Sequence, residues 1–302
     1  MAQLPIRLGT IDDSYAVFEV LLDSLLDFGE HKGVMAVTGG RSADPAELWA
    51  RRRPLWEHLA RTADQFWVAE QEKKVVGYAR SILRDGVREL TEFFVRPDFQ
   101  SGGLGRELLS RAFPASGARR RVIIATSDLS ALALYLRSGL AALVPQMYFS
   151  RRIEIVEQSG DLEIVPMTGG SAALEQLAEL DRLVLGHRRD VDHAWLREQR
   201  YGYFYQRSGR LVGYGYISRD WSGPFCLLEP SDFPAVLAHA QNQAAELGAD
   251  SIGFEVPLVN QSAVVYLLSH GYRLDGFLGS IMSDVPFGKF ENYILTSPPF
   301  IL

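Results

Sequence analysis

Gln100-Ser101-Gly102-Gly103-Leu104-Gly105 joins two stretches of opposite character, and what it joins decides the fold. Before it, Leu90-Thr91-Glu92-Phe93-Phe94-Val95-Arg96-Pro97 is rich in β-branched and aromatic residues and is stopped by proline, as a strand would be. After it, Leu104, Leu108, Leu109 and Ala112 recur at helical spacing, so a helix starts inside the glycines. A strand, a glycine turn and a helix N-terminus make an anion site. The first N–H groups of the helix have no intrahelical partner and its dipole favours negative charge. Bare backbone at Gly102, Gly103 and Gly105 lets a phosphate approach.

The flanking residues separate three phosphate-binding families. A P-loop needs Lys and then Ser or Thr after its last glycine, whereas Gly105 is followed by Arg106 and Glu107. A dinucleotide fingerprint starting at Gly103 and Gly105 would require a small residue where Leu108 stands. The remaining pattern, Gln/Arg-x-x-Gly-x-Gly/Ala, is filled by Gln100, Gly103 and Gly105 and resembles the signature of the GCN5-related N-acetyltransferases. The resemblance implies that Gln100, Ser101, Gly102, Gly103, Leu104, Gly105 and Arg106 cradle the pyrophosphate of acetyl-coenzyme A. It further implies that main-chain groups of Phe93, Phe94 and Val95 pair with the pantetheine arm, one amide polarising the thioester.

The 302 residues are enough for two domains, and 47% hydrophobic with 23% charged residues is the make-up of an ordinary globular protein. No apolar run approaches the roughly 18 residues of a membrane span, and no basic-then-apolar leader follows Met1, so a cytoplasmic location without membrane attachment is expected. A net charge of −6 argues against nonspecific nucleic-acid binding and suits a cationic acceptor. The single cysteine, Cys226, sits in a strand-like run and reads as a buried small hydrophobe. Histidines 31, 58, 187, 193, 239 and 270 lack metal spacing, so no metal is expected. His187 and His193 with Asp190 and Asp192 read as a polar loop, and Tyr201, Tyr203 and Tyr205 as an alternating strand face.

Along the first half the elements run strand, two helices, three strands, helix, strand, helix, strand. Asp12 or Asp13 can cap the first helix, and Asp44-Pro45 starts the second. This order is similar to that of the acetyltransferase fold, an α/β mixed sheet in which the fourth and fifth strands splay and admit the cofactor. The second half repeats it. Val76-Gly77-Tyr78 is echoed by Val212-Gly213-Tyr214, and Ala133-Leu134-Tyr135-Leu136 by Val264-Val265-Tyr266-Leu267, at nearly one offset. Two tandem domains of this type are therefore expected, at 1–156 and 161–302, each a splayed mixed sheet flanked by helices, with homodimerisation left open.

The copies differ where chemistry would occur. In place of a glycine turn the second has Glu229-Pro230-Ser231-Asp232-Phe233-Pro234, whose prolines supply no N–H and whose carboxylates repel phosphate. The second domain reads as degenerate and the catalytic cleft belongs to the first. There, the resemblance implies that Glu92, three residues before Val95, accepts the amine's proton, with Glu89 or water as alternatives; strict alternation puts the two acids on opposite faces. Tyr135 occupies the tyrosine position of the family's last-helix pattern, and a phenol of pKa about 10 can protonate a leaving thiolate. Asp128 stands where the family usually has Asn. Arg119-Arg120-Arg121 could reach a 3′-phosphate, although a solvated loop accounts for it better. The implied activity is direct, ternary-complex transfer of acetyl from acetyl-coenzyme A, as cosubstrate, to a primary amine of a small molecule or peptide. The loop Gly29–Pro45 would shape the choice of acceptor. The alternative is a noncatalytic acyl-coenzyme A-binding sensor or scaffold.

Overall fold

Two successive two-residue turns set the frame of the N-terminal half. In the computed structural model, β2 (Ala63–Gln71), β3 (Lys74–Arg84) and β4 (Val87–Val95) form an antiparallel meander. Its turns are Glu72-Lys73, at φ 49° and 65°, and Asp85-Gly86, at φ 42° and 77°. Left-handed backbone at both turn positions matches the twist of the flanking strands. The structure describes residues 4–32, 44–100, 102–158 and 160–302, with backbone alone at 30–32 and 275–277. The described chain forms two compact units, Met1–Ala141 with Ser283–Val285, and Ala142–Met282 with Pro286–Leu302. The first change of unit along the chain falls between Ala141 and Ala142.

In the first unit the strand order is β1 (Ile6–Leu8), β2, β3, β4, β5 (Arg120–Ala125). Helix α1 (Ser14–Lys32) buries Val17, Phe18, Val20, Leu21 and Leu25 against β3 and β4. Asp44 caps α2 (Pro45–Arg61) by accepting from Ala46 N at 2.9 Å, with proline at the first helical position, where its missing N–H costs nothing. Helix α3 (Leu104–Ala112) packs through Leu108, Leu109 and Ala112 on the same meander, and α4 (Leu129–Arg137) follows β5. Helices on both faces explain why β3 is buried almost end to end.

Two irregularities in β4 position the site. At Thr91 the strand carries a bulge: Leu90 faces Ser81 but Glu92 faces Arg80. Ile82 pairs with Glu89 and Arg80 with Glu92, so the extra residue puts Glu89 and Glu92 on one face, correcting the alternation read from the sequence. Further on, the parallel ladder between β4 and β5 joins Val87–Leu90 to Arg120–Ile123 and stops, while β4 continues beside β3 to Val95. The two strands splay from Leu90 onward.

The second unit holds two sheets. One has the order β12 (Arg273–Ser283), β6 (Ala141–Arg152), β11 (Ser251–Pro257). The other has the order β13 (Tyr293–Ile294), β10 (Ser222–Leu227), β9 (Arg210–Ile217), β8 (Tyr201–Arg207), β7 (Glu163–Pro166). Helices α5 (Ser171–Val184), α6 (Asp190–Gln199), α7 (Phe233–Glu246) and α8 (Gln261–Ser269) complete it. The core gathers Phe149, Phe225, Phe233, Leu237, Phe254 and Leu267. The stretch expected to be a loop around Asp190 and His193 is α6; its first turn carries Asp190 and Asp192, and acidic residues favour a helix start.

Candidate active site

The glycine turn ends in left-handed backbone at Gly103, φ 87°, where an added Cβ would meet nothing within 4 Å. Glycine is needed there for its conformation, not for space. Helix α3 then starts at Leu104 with no side-chain cap. Its first intrahelical bond is Glu107 N to Gly103 O at 3.2 Å, so the N–H groups of Leu104, Gly105 and Arg106 have no partner among the described residues. Gly102, Gly103 and the side chain of Arg106 are exposed. At Gly105 a Cβ would come within 3.2 Å of Phe93 Cζ, so the ring of Phe93 rests against the helix start. Ser101 lies outside the described residues, as do 33–43 of the loop expected to shape acceptor choice.

The phase of β4 follows from Arg96 N donating to Val76 O at 2.9 Å. Main-chain groups two residues apart point the same way, so those of Phe94 enter the ladder with β3 while those of Phe93 and Val95 face away from it, into the splay. Phe94 therefore cannot supply the main-chain pairing expected of it; its ring lies 5.9 Å from that of Tyr78. Val95 O is held by Gln100 Nε2 at 3.1 Å and by Ser24 Oγ at 3.3 Å, while Val95 N–H and both groups of Phe93 have no partner among the described residues. Gln100 thus braces the strand end instead of facing an anion. Ser24, on α1, carried no sequence signal beyond its place in a helix.

Glu92 is engaged by two side chains of β3. Its carboxylate is fully buried and takes Arg80 Nε at 2.6 Å, Arg80 Nη2 and Tyr78 Oη at 3.1 Å. Arg80, also without exposed surface, gives Nη1 to Trp56 O at 3.1 Å and lies over the ring of Phe66. A carboxylate that holds a buried guanidinium and a phenol has a structural role. Burial, and then the charge on Glu92, raise the pKa of Tyr78 well above its ordinary value.

Tyr135, on α4, is 4% exposed, with its ring 6.2 Å from Phe93 in an edge-to-face arrangement. Phe93, Gly105 and Tyr135 therefore meet at the mouth of the splay. Burial, aided by the charge of Asp128, pushes the Tyr135 phenol above its ordinary pKa. Asp128 caps α4, accepting from Ala131 N at 2.7 Å. The arginine run sits at the far end of the ladder from the glycines, where Arg120 pairs with Val87. Arg119 donates to Asp85 O at 2.8 Å, and Arg121 to Asp284 at 3.0 Å and to Ser138 O at 2.7 Å. These are braces of the fold rather than a phosphate site.

In the second unit the equivalent gap, between β10 and β11, is filled by the chain itself. Strand β13 pairs with β10 through Ile294 and Phe225, and Leu295 N donates to Glu255 O at 3.0 Å. A Cβ at Gly223 would collide with Leu295 O, so glycine there admits the inserted segment. Asp232, where the first copy has glycine, is buried and ion-paired to Arg207 at 2.7 Å. Behind β13, Asp181 takes Arg189 at 2.8 Å, His193 Nε2 at 2.9 Å and Tyr214 Oη at 2.5 Å, and Arg189 also reaches Tyr293 Oη at 2.8 Å. Although burial opposes it, the Arg189 charge and the hydrogen bonds to His193 and Arg189 hold the Asp181 carboxyl far below its usual range. Cys226 is buried, with its thiol pushed up by that burial. Among the described residues no group of three or more His, Cys, Asp or Glu could hold a metal, and no helix is long and apolar enough to cross a membrane.

Residues 21–140 match the model of the Acetyltransferase (GNAT) family. No curated protein matches the chain. Among solved structures, a Pyrococcus horikoshii protein assigned to the acetyltransferases is similar at 16% identity and TM-score 0.73, covering 97% of this chain and 94% of its own. A GCN5-related N-acetyltransferase from Sphaerobacter thermophilus is similar at 14% identity and TM-score 0.60, covering 93% and 96%. A tandem GNAT protein from the clavulanic acid biosynthesis pathway aligns at 12% identity and TM-score 0.56 over 94% of this chain and 99% of that one.

Proposed function

We propose, on the premise that residues 21–140 belong to the GNAT acetyltransferases and that the whole chain has the tandem fold of that superfamily, that the first unit transfers acetyl from acetyl-coenzyme A to a primary amine. One observation carries this reading: an uncapped helix start stands beside a strand whose inward main-chain groups at Phe93, and whose Val95 N–H, are left open by the splay. The N–H groups of Leu104, Gly105 and Arg106 would hold the pyrophosphate, and Arg106 adds a charge. The open groups of Phe93 and Val95 would take the pantetheine amides as a further strand does, bringing the thioester toward Tyr135.

Attack by a neutral amine expels a thiolate, which needs a proton. Tyr135 can give one. Its raised pKa keeps the phenol protonated at neutral pH, and the same dry surroundings raise the proton affinity of a thiolate placed beside it. The amine's own proton must leave to water or to a group other than Glu92. That engagement of Glu92 favours a second reading, a noncatalytic acyl-coenzyme A-binding protein. Thiol release from acetyl-coenzyme A across a panel of amines separates the two. Transfer predicts release that is lost in Gly103→Glu and strongly slowed in Tyr135→Phe; a binding protein releases no thiol with any amine.

A further inference from the structure

On one face of β6 and β11, in the second unit, two polar side chains lack partners among the described residues. Gln146 is 3% exposed, and its Oε1 is buried without a hydrogen bond. Glu255 is half-buried, and its carboxyl makes no hydrogen bond or ion pair with any described residue. The register pairs Gln146 with Pro257 and Tyr148 with Glu255, so Gln146 and Glu255 are diagonal neighbours on the same face. The opposite face carries Phe149, Phe254 and Val256 into the core. Gly253 clears the space that the Tyr148 ring fills beside them, since any Cβ there would strike that ring.

A buried carbonyl oxygen left without a donor costs free energy unless something else satisfies it, and beside it stands a half-buried carboxyl with no donor among the described residues. Both accept hydrogen bonds, and no cation among the described residues is ion-paired to the carboxyl. Burial alone raises its pKa, to about 8. The titratable group opposite it on β6 is the phenol of Tyr148, and the residue bridging from beyond β13 is Leu295. Arg200, at the start of β8, spends its guanidinium on Ser222 O, Gly223 O and Ser297 O.

We infer that this face of the second unit binds a protonated primary amine, with Glu255 and Gln146 as its two acceptors. An ammonium brings the positive charge the carboxyl lacks and three N–H donors for two oxygens; an alcohol brings no charge, and an anion would be repelled. Binding costs one proton. The neutral carboxyl of Glu255 releases H⁺ to solvent as the ammonium settles against its carboxylate, so affinity rises about tenfold per pH unit below pH about 8 and levels above it. The inference is independent of acetyl transfer and is tested without acetyl-coenzyme A, so either can fail alone.

The probe is n-butylammonium chloride, with n-butanol as the uncharged control, titrated into the full chain while the Glu255 carboxyl carbon is followed by NMR. The titration midpoint of Glu255 should fall by about a unit or more with butylammonium and hold still with butanol. Calorimetry in buffers of different ionisation enthalpy should show about one proton released near pH 7, and Glu255→Gln and Gln146→Leu should each weaken binding tenfold or more. An unmoved Glu255 resonance at saturating butylammonium, or equal response to butanol, overturns the inference. Both of these are read on the unaltered chain, so a variant that fails to fold does not shelter it.

Discussion

Replacing Glu92 by leucine strips the countercharge from a guanidinium with no exposed surface. Arg80 would keep Trp56 O at 3.1 Å and the Phe66 ring, but lose its contacts with the carboxylate. Leaving one member of a buried pair uncompensated costs about 3–5 kcal/mol, a large share of the roughly 5–15 kcal/mol that holds a domain folded. Removing both charges, in Arg80→Met with Glu92→Leu, should return most of that loss, because apolar groups of similar volume often replace a buried ion pair at no cost. The double-mutant cycle by urea denaturation should therefore show a coupling of at least about 2 kcal/mol. If Glu92 is structural, the double variant transfers acetyl within a few-fold of the unaltered chain per folded molecule. A double variant as stable as the unaltered chain but slowed a hundredfold, with the acidic limb of its pH–rate profile gone, would refute the reasoning and restore Glu92 as the base.

Gly103→Ala should cost about 1–2 kcal/mol from left-handed strain without any clash, visible as a lower melting temperature, and weaken coenzyme A binding in calorimetry by about tenfold or more. Tyr135→Phe should lower kcat about a hundredfold or more with little change in KM; an unchanged kcat removes the phenol from the proton path. Deleting residues 293–302 takes away Tyr293, Ile294, Leu295, Ile301 and Leu302, all buried. At about 1.5–3 kcal/mol for each buried side chain, that approaches the whole stability of the unit, so the second unit should lose hydrogen-exchange protection. His239, buried so that its pKa falls to about 4, is neutral when folded and protonates on unfolding, so its contribution is lost as pH falls from about 6.5 to 4. Glu255, raised to about 8, contributes with the opposite sign, its share being lost as pH rises from about 4.3 to 8. Glu255→Gln should therefore make stability rise with pH between about 4.5 and 6.5, by up to about 1.4 kcal/mol per unit, where the unaltered chain stays nearly flat.

The parts of the site legible in the sequence are those that local chemistry dictates. Glycines after a strand and before a helical repeat announce an uncapped helix start, and Asp44-Pro45 announces a capped one. The surroundings of Glu92 depend on register. The turn at Asp85-Gly86 alone would put Arg80 opposite Thr91; one extra residue in β4 brings Glu92 there instead. Nothing in a single strand's composition marks a bulge. A signal did exist: an arginine inside the otherwise apolar run of β3 needs a buried partner, and the facing strand offered only carboxylates. Asp284 meeting Arg121, and Ser24 meeting Val95, are pairings across 163 and 71 positions that no local pattern encodes.

Glu229–Pro234 leads one to expect a weakened anion site in the second copy, and the strand inserted beside β10 adds an obstacle of another kind. Proline and carboxylate at that turn would merely weaken an anion's hold, a deficit that an altered loop could restore. The inserted strand removes the splay itself. Main-chain groups of β10 that would receive a pantetheine arm are already paired to β13, and Glu255 O is taken by Leu295 N. Tyr293 is further tied to Arg189 at 2.8 Å, and Asn260 Nδ2 reaches Tyr293 O at 3.3 Å, so displacing the strand would strand buried polar groups on both sides. Restoring glycines in place of Pro230 and Asp232 should then yield no coenzyme A binding by the second unit in isothermal titration of a chain already blocked by Gly103→Glu. Binding in that chain would mean that the strand yields to ligand, and that the turn alone separates the copies.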